Sequence, residues 1–491
     1  MDRIIRLIPG DEPVYLVGGA IRDALLLRPV YDLDFVTPGN AMKLARQIAN
    51  ELGGAYFPLD KKRNMGRVIL YADEQPGGPG NPIRRIDFSS FQGVDLISDL
   101  RSRDFTMNSM AVEVRQLHTL IDPFGGIADL ASKRLKVCSP RSILDDPIRI
   151  LRAVRFSVML GFSIPTETRQ LIRQAASLLP EESAERLRDE LFRILSQPGS
   201  DTSLRILDVF GTLEYILPEV CSLKNIEQSP PHIMDAWEHT LDFLKQLETV
   251  LNVLAPEFHP DKVDNLTMGT LALFLGRFRN PLKEHLSNAL NPERPHRGLL
   301  IFAGLYHDVG KPKARTMGEE GKIRFINHEQ IGGKIVEKRG KAMKFSNLEI
   351  ERLVTIVNHH MRPSLLSHTH ELPSRKAIFR FFRDTGAAGV DICLLSLADI
   401  LATYGPTLPQ ERWTRHLEVV QMLLKAWWED RSEIIYPQLL INGDELMKEI
   451  SISPGPQVGY LLDAILEAQV SGEIHTRQEA LNLAKKHSLE N

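Results

Sequence analysis

Residues 14–37, VYLVGGAIRDALLLRPVYDLDFVT, leave a chain few ways to fold. An apolar strand over 14–17 runs into a Gly-Gly turn, Gly18 and Gly19. A short amphipathic helix carrying Arg22 and Asp23 follows, then a second strand with two acids one residue apart, Asp32 and Asp34. Strand side chains alternate with period two, so both carboxylates face the same side. Glycines let backbone N–H groups approach phosphate oxygens, and the helix N-terminus behind them adds positive potential. Two carboxylates on a rigid strand opposite such a turn suit Mg²⁺ ions and a nucleoside triphosphate. Hard cations on oxygen ligands orient an attacking hydroxyl and stabilise departing pyrophosphate.

The chain has 491 residues, enough for three or four domains. With 43% hydrophobic and 25% charged residues it has the composition of a soluble globular protein. No apolar run reaches the length of a membrane span, and the first residues, MDRIIRLIPGDEP, lack a signal core. Cys138, Cys221 and Cys393 form neither a disulfide framework nor a zinc pattern. Together these features lead to the expectation of a cytoplasmic protein with no membrane partner. A net charge of −3 does not advertise a nucleic-acid binder, so any such binding must come from local patches.

Strand patterns are predicted over 14–17, 33–36, 68–71 and 83–88, with a Gly/Pro-rich loop over 73–82. From about residue 141 the pattern is helical to the end. Boundaries near Pro140, at Ser229-Pro230-Pro231 and around 405–409 divide the chain into 1–140, 141–228, 229–405 and 406–491. The predicted class is α+β: an N-terminal head with a small mixed sheet, followed by all-helical segments.

Several stretches carry chemistry. Asp-x-Asp alone is common on exposed strands; the upstream Gly-Gly turn and Arg22-Asp23 make it specific. Asp87, in RRIDF, reads either as a third catalytic acid or as the partner of Arg84 or Arg85. The basic run over 59–70 reads as a solvated turn leading into a strand. RSRDFTMNS packs Arg103, Asp104 and Asn108 together, and adjacent Arg and Asp can bind a ribose 2′-OH, which both donates and accepts. The turn over 122–130 has an Asp at each end and reads as a connector.

In DDPIRILRAVRF, Asp145 is expected at a helix N-cap or first turn, with Pro147 just inside. Asp146 and Arg149, three apart, are expected to share a helix face, with Arg152 and Arg155 beyond them. A carboxylate accepts from the exocyclic amine of cytosine or adenine while an Arg donates to the adjacent ring nitrogen. Guanine and uracil present the reverse pattern. From 131 to 156 there are seven Lys/Arg against two Asp, a patch that could follow an RNA backbone. SAERLRDELFRIL reads as a helix braced by ion pairs.

Far downstream lie His239, the dipeptide His307-Asp308, His328, His359-His360 and Asp399. His and Asp converging from several helices of a bundle make a divalent-metal site that can activate water toward a phosphate ester.

These motifs resemble those of bacterial tRNA nucleotidyltransferases of the class II nucleotidyltransferase and poly(A) polymerase family, here with an HD-type phosphohydrolase domain. The resemblance covers nearly the whole chain. It implies Mg²⁺ on Asp32 and Asp34, triphosphate contacts from Gly18, Gly19, Arg22 and Asp23, and ribose contacts from Arg103 and Asp104 with Asn108. It makes Asp146 and Arg149 the base readers. It further implies an HD metal, Mn²⁺, Ni²⁺ or similar, on His239, His307, Asp308 and Asp399, with His328 and His359 or His360 as extra histidines. ERLRDEL resembles the neck helix and the stretch over 442–462 the tail. The implied partners are CTP, ATP and the tRNA 3′ end. Three positions depart from the pattern: Asp145 replaces a Glu, Ser102 a second Arg, and Lys136 an Arg.

The expected reaction is template-independent addition of CMP and AMP to tRNA. Alternatives are poly(A) synthesis or CC-only or A-only addition, an HD phosphohydrolase whose head only holds RNA, and a non-enzymatic RNA-binding protein. The intact Asp-x-Asp and base-reading pair argue against the last two.

Overall fold

The computed structural model describes residues 2–8, 12–70, 85–259, 261, 265–292, 294–318, 321–369 and 371–490. The loop predicted over 73–82, and Ile83 and Arg84 of the strand after it, lie outside the described residues. The chain divides into two compact units, Met1–Ser183 with Ile206–Tyr215, and Ala184–Arg205 with Ile216–Asn491. The segment 141–228, expected as one all-helical segment, is divided between them.

The first unit holds a seven-stranded sheet among its described residues, in the order β3-β4-β5-β2-β1-β6-β7. The strands are β1 (Tyr15–Val17), β2 (Asp32–Thr37), β3 (Ala55–Asp60), β4 (Met65–Ile69), β5 (Arg85–Ser90), β6 (Ala111–Glu113) and β7 (Leu120–Ile121). β2 and β5 run parallel and the other described pairs are antiparallel. β3, β6 and β7 were not anticipated. β3 is largely exposed and contains Pro58, so it shows no clean alternation, and β6 and β7 are too short to show a period.

Leu33 and Phe35 of β2, Val68 of β4, and Ile86 and Phe88 of β5 are buried on one face. Each such side chain contributes roughly 1.5–3 kcal/mol by leaving water. Helix Ala41–Leu52 covers β4 and β5 with Leu44, Ala45 and Ile48. Asn40 caps its first turn, accepting from the Lys43 N–H at 3.0 Å, and Gly53 ends it at φ 67°. Burying this face turns Asp32, Asp34 and Asp87 to the other one.

Apart from the hairpin Arg315–Met317 with Ile323–Phe325, the second unit is helical among its described residues. It opens with helix Ala184–Leu195, in which Arg193 donates to Glu190 at 2.9 Å, the bracing expected of this stretch. At its centre lies helix Ala388–Tyr404. The stretch Ala388–Thr407 is long and apolar enough to cross a membrane, contrary to the sequence expectation, but most of it is buried inside the protein. It is a core helix, apolar on all sides because protein surrounds it.

Asp391, fully buried on this helix, is held by three partners. Its Oδ1 contacts His285 Nε2 at 2.8 Å and His296 Nε2 at 2.9 Å, and its Oδ2 accepts from Arg352 at 2.7 Å. Burial pushes this carboxyl up, but His296 and His285 outweigh that and hold it well below the usual range. Asp391→Asn would leave Arg352 without its counter-charge. It is expected to destabilise the second unit by about 3–5 kcal/mol, seen as a lowered calorimetric midpoint with the first unit's transition in place.

Candidate active site and metal centre

Strand register assembles the first site. In the β2–β5 pair Asp34 lies opposite Asp87 and Asp32 opposite Arg85; in the β4–β5 pair Arg67 lies opposite Asp87. Asp32 forms an ion pair with Arg85. Asp87 accepts two hydrogen bonds from Arg67, both at 2.8 Å. Its shortest contacts among the described residues are thus with Arg67 on the neighbouring strand; of the two arginines the sequence offered as partners, Arg84 lies outside the described residues. Arg85 Nε is 3.9 Å away.

Asp34 is treated differently. Burial raises its carboxyl above the ordinary value; Arg103 works against this while Asp87 adds to it. A desolvated carboxylate flanked by two more is suited to a divalent cation. Gly18, at φ 76°, shows how close the turn comes: a Cβ there would lie 3.3 Å from Asp34 Oδ2 and 3.2 Å from Arg103 Nη1. Both the positive φ and the available space call for glycine.

Arg22 and Asp23 form a brace. The buried Arg22 donates to Asp23 at 2.8 and 2.9 Å and to Asn108 Oδ1 at 2.8 Å, and its guanidinium lies 5.0 Å from the centre of the Phe156 ring. Asn108 passes the link to Asp104 Oδ1 at 3.0 Å, and Asp104 Oδ2 accepts from Arg152 at 2.6 and 2.8 Å. Burial pushes the Asp104 carboxyl up, but Arg152 and Asn108 prevail and bring it down to about 2. Arg103 lies against Asp99 at 3.2 Å. Arg152 and Arg155 also lie over Phe156, at 5.5 and 4.4 Å.

The base-reading pair is adjacent but not built as expected. Asp145 ends the short helix Ser142–Asp145 and pairs with Arg141 at 3.3 Å, so it is not an N-cap. Asp146 leaves helical geometry at φ −149°, and the next helix is Arg149–Leu160. Pro147 after Asp146 accounts for the break, because the residue before a proline is pushed to extended geometry. Asp146 and Arg149 therefore meet across a turn, 3.6 Å apart, rather than along one helix face. Arg149 also donates to Ser102 O at 2.7 Å, Arg103 O at 3.1 Å and Ser142 Oγ at 2.7 Å.

The second unit gathers His239, His307, Asp308, His328, His360 and Asp399. His307, His328 and His360 each turn Nδ1 to a backbone carbonyl three residues earlier, at 2.6, 2.8 and 2.8 Å. That leaves each Nε2 facing inward, the tautomer a metal ligand needs. Asp308 divides its oxygens: Oδ2 lies 3.2 Å from His307 and 3.6 Å from His239, and Oδ1 lies 3.3 Å from His328 and 4.0 Å from His360. Asp399 is 3.2 Å from His239. His239 Nε2, His307 Nε2 and Asp308 Oδ2 are buried without an aligned hydrogen bond. Two ligand triads, His239/His307/Asp308 and Asp308/His328/His360, share one carboxylate. Orphaned buried donor atoms of this chemistry fit divalent metal.

Burial pushes the Asp308 carboxyl up, but His307 and Lys311 hold it well below the usual range. Burial, with His328 and His307 beside it, pushes the His360 ring down to about 3, keeping it neutral. His359 belongs to neither triad; its neighbour His360 is the one brought in. Gly310 has no room for a side chain, since a Cβ would lie 2.0 Å from His328 O. The sequence reading did not assign Lys311, whose Nζ is 2.6 Å from Asp308 Oδ2, although it adjoins the His-Asp dipeptide. It also missed His232, whose ring centre is 5.2 Å from that of His239; seven residues of separation alone carried no signal.

The poly(A) polymerase head domain matches residues 14–136, and the family described as a probable RNA- and SrmB-binding site of polymerase A matches 161–224. The HD domain matches 271–404. The A-adding tRNA nucleotidyltransferase of Deinococcus radiodurans is 30% identical over 482 residues, 96% of this chain and 95% of the relative. The chain belongs to the tRNA nucleotidyltransferase family. The CC-adding enzyme of Thermus thermophilus is 31% identical, over 96% of this chain and 92% of its own. In fold, the chain is similar to a CCA-adding enzyme solved with CTP, at TM-score 0.61 and 21% identity over 98% of this chain and 92% of that one.

The folded-state pKa of Asp104 is depressed, so its stabilisation is fully present above ordinary carboxylate values, ~3.9. It is lost as pH falls toward about 2. Asp104→Asn is expected to cost about 2 kcal/mol at neutral pH and to flatten the acid limb of the first unit's stability profile between those values. An unchanged acid limb would contradict the assignment.

Proposed function

We propose that this nucleotidyltransferase adds CMP or AMP, from CTP or ATP, to the 3′ end of tRNA without a nucleic-acid template. One observation carries the reading. An unbroken line of neighbours runs from Asp34 past Gly18 to Arg103, from the Arg103 carbonyl to Arg149, and from Arg149 to Asp146. The chemical end and the base-reading end of the site are thereby tied to one loop. The names of the relatives, A-adding and CC-adding, bracket the same two nucleotides.

In this reading the tRNA 3′-oxygen attacks the α-phosphorus, the bond to the β-phosphate oxygen breaks, and pyrophosphate leaves. Asp32 and Asp34 would hold Mg²⁺, which when bound neutralises phosphate charge and orients the attacking oxygen. For that, Asp32 must exchange Arg85. Gly18 and Gly19 open the backbone to the triphosphate, Arg103 supplies positive charge beside it, and Asp104 with Asn108 lines the ribose side. The Arg22-Asp23 pair acts as the brace behind them. Asp146 accepts from the exocyclic amine of C or A, and Arg149 donates to the ring nitrogen.

Transfer RNAs ending at the discriminator base, at C and at CC, offered each labelled nucleotide, test this. CTP or ATP is expected to be incorporated roughly 10²-fold or more above GTP and UTP. Equal use of all four would overturn the base-reading assignment, and long A tails would mark a poly(A) polymerase. Asp34→Ala is expected to lower incorporation by about 10²–10³-fold or more; retained activity would remove the head from catalysis.

The shared Asp308 supports a second activity, metal-dependent phosphoester hydrolysis at an HD centre holding Mn²⁺, Ni²⁺ or a similar ion. Asp308→Ala is expected to lose bound metal by elemental analysis, and phosphate release with it, while nucleotide incorporation persists.

A further inference from the structure

A cavity of about 300 Å³ opens onto the HD cluster, with Asp308, His328 and Asp399 in its wall. This volume is at the small end of ligand sites, ~300–1,000 Å³. Phe325, Met361 and Tyr404 make part of the lining apolar, and two strong cations line it, Lys311 and Arg412. Lys311 is committed to Asp308 and to Gln228, 2.5 Å away. Among the described residues Arg412 has no carboxylate partner; its Nη2 donates to His368, and its guanidinium lies 5.3 Å from the centre of the Tyr404 ring. Its Nε is buried with no hydrogen-bond partner among the described residues. A buried, unpaired guanidinium N–H costs free energy unless a ligand acceptor completes it.

Arg412 also comes from an unexpected place. It lies on helix Gln410–Trp428, whereas the HD match ends at residue 404. His416, one turn on, closes the same wall and is already satisfied by Ser367 and Ser396, each at 3.1 Å. The helix following the HD module therefore supplies this cavity with its one cation free of carboxylate among the described residues.

We propose that Arg412 binds the phosphate of a phosphomonoester on a small organic group, no larger than a single nucleotide, and holds it against the HD cluster. The proposal rests on the phosphohydrolase reading of that cluster. In the reaction, a water oxygen bonds to phosphorus, the ester P–O bond breaks, and the released alkoxide takes a proton to leave as the alcohol with inorganic phosphate. Arg412 contacts non-bridging oxygens throughout and exchanges no proton. The same chemistry is presented by a free mononucleotide and by an RNA ending in a 3′-phosphate, whose terminal nucleotide alone would enter.

Calorimetric titration of the full-length chain with inorganic phosphate, AMP and a short RNA 3′-phosphate, after chelation and again with Mn²⁺, tests this alongside hydrolysis of the two esters. Expected for Arg412→Gln is tenfold or greater weakening of phosphate and AMP binding in both states, and a raised KM with Mn²⁺. Arg412→Lys should recover part of the loss, and tRNA nucleotide incorporation should stay at wild-type level, reporting an intact fold. If Arg412→Gln unfolds, the Lys variant decides: it must bind more weakly than wild type, since an ammonium cannot reproduce the guanidinium fork. AMP binding with the RNA rejected assigns the free ester, and the converse assigns the RNA end; either supports the phosphate role. Wild-type-like binding and KM in both variants would overturn the role of Arg412 and leave the HD reading standing. A wild-type protein that hydrolyses neither ester with Mn²⁺ or Ni²⁺ would overturn the HD reading itself.

Discussion

A carboxylate withdrawn from water must be matched by charge or hydrogen bonds, and much of this protein is arranged around how four of them are matched. Asp391 is fully matched by two histidines and an arginine and serves the core. Asp104 is matched by Arg152 and Asn108 and joins the loop after helix Leu96–Arg101 to helix Arg149–Leu160. Asp308 is shared between Lys311 and several histidines, two of which, His239 and His307, have an inward nitrogen without an aligned partner. Asp34 is matched least, and its carboxyl is the one raised. The degree of matching sorts them: Asp391 and Asp104 are fully paired within the fold, whereas Asp34 and the Asp308 cluster keep ligand atoms of the kind a divalent ion takes.

The same economy governs the cations. In the first unit the arginines that pattern reading assigned to substrate are largely engaged by the protein: Arg22 by Asp23 and Asn108, Arg152 by Asp104, Arg149 by backbone carbonyls. An arginine so held keeps a fixed donor geometry, which the base reading proposed for Arg149 would need. The loop around Arg103 is the common support. It faces Gly18 with its side chain and Arg149 with its carbonyl.

Much of the site was readable from local spacing. Asp32 and Asp34 two apart on a strand, with Leu33 and Phe35 alternating into the core, follow from the strand period, and the burial pattern agrees. The short strands β3, β6 and β7 were not readable, because they exist through pairing with neighbours rather than through any pattern of their own. The helix expected to start at Asp145 was misplaced because Pro147 was read as a first-turn residue. Its stronger effect was on Asp146, which it forced out of helical geometry and so divided the segment in two. Asp146 and Arg149 still meet, by a different route.

The sequence by itself determined the class of chemistry: which residue types are present, their order, and the strand and helix periods that set neighbouring side chains on a common face. Only the tertiary structure decided which of them act together. Partner choice depends on register and packing between segments far apart in the chain, which no local period encodes. That is why Asp87 pairs with Arg67 across β4 and β5, and why His360 rather than His359 joins Asp308. It is also why Arg412, beyond the recognisable HD segment, lines the cavity over that cluster. Adjacent residues on a helix point about 100° apart, so one histidine of the pair had to be excluded, and only packing could choose which.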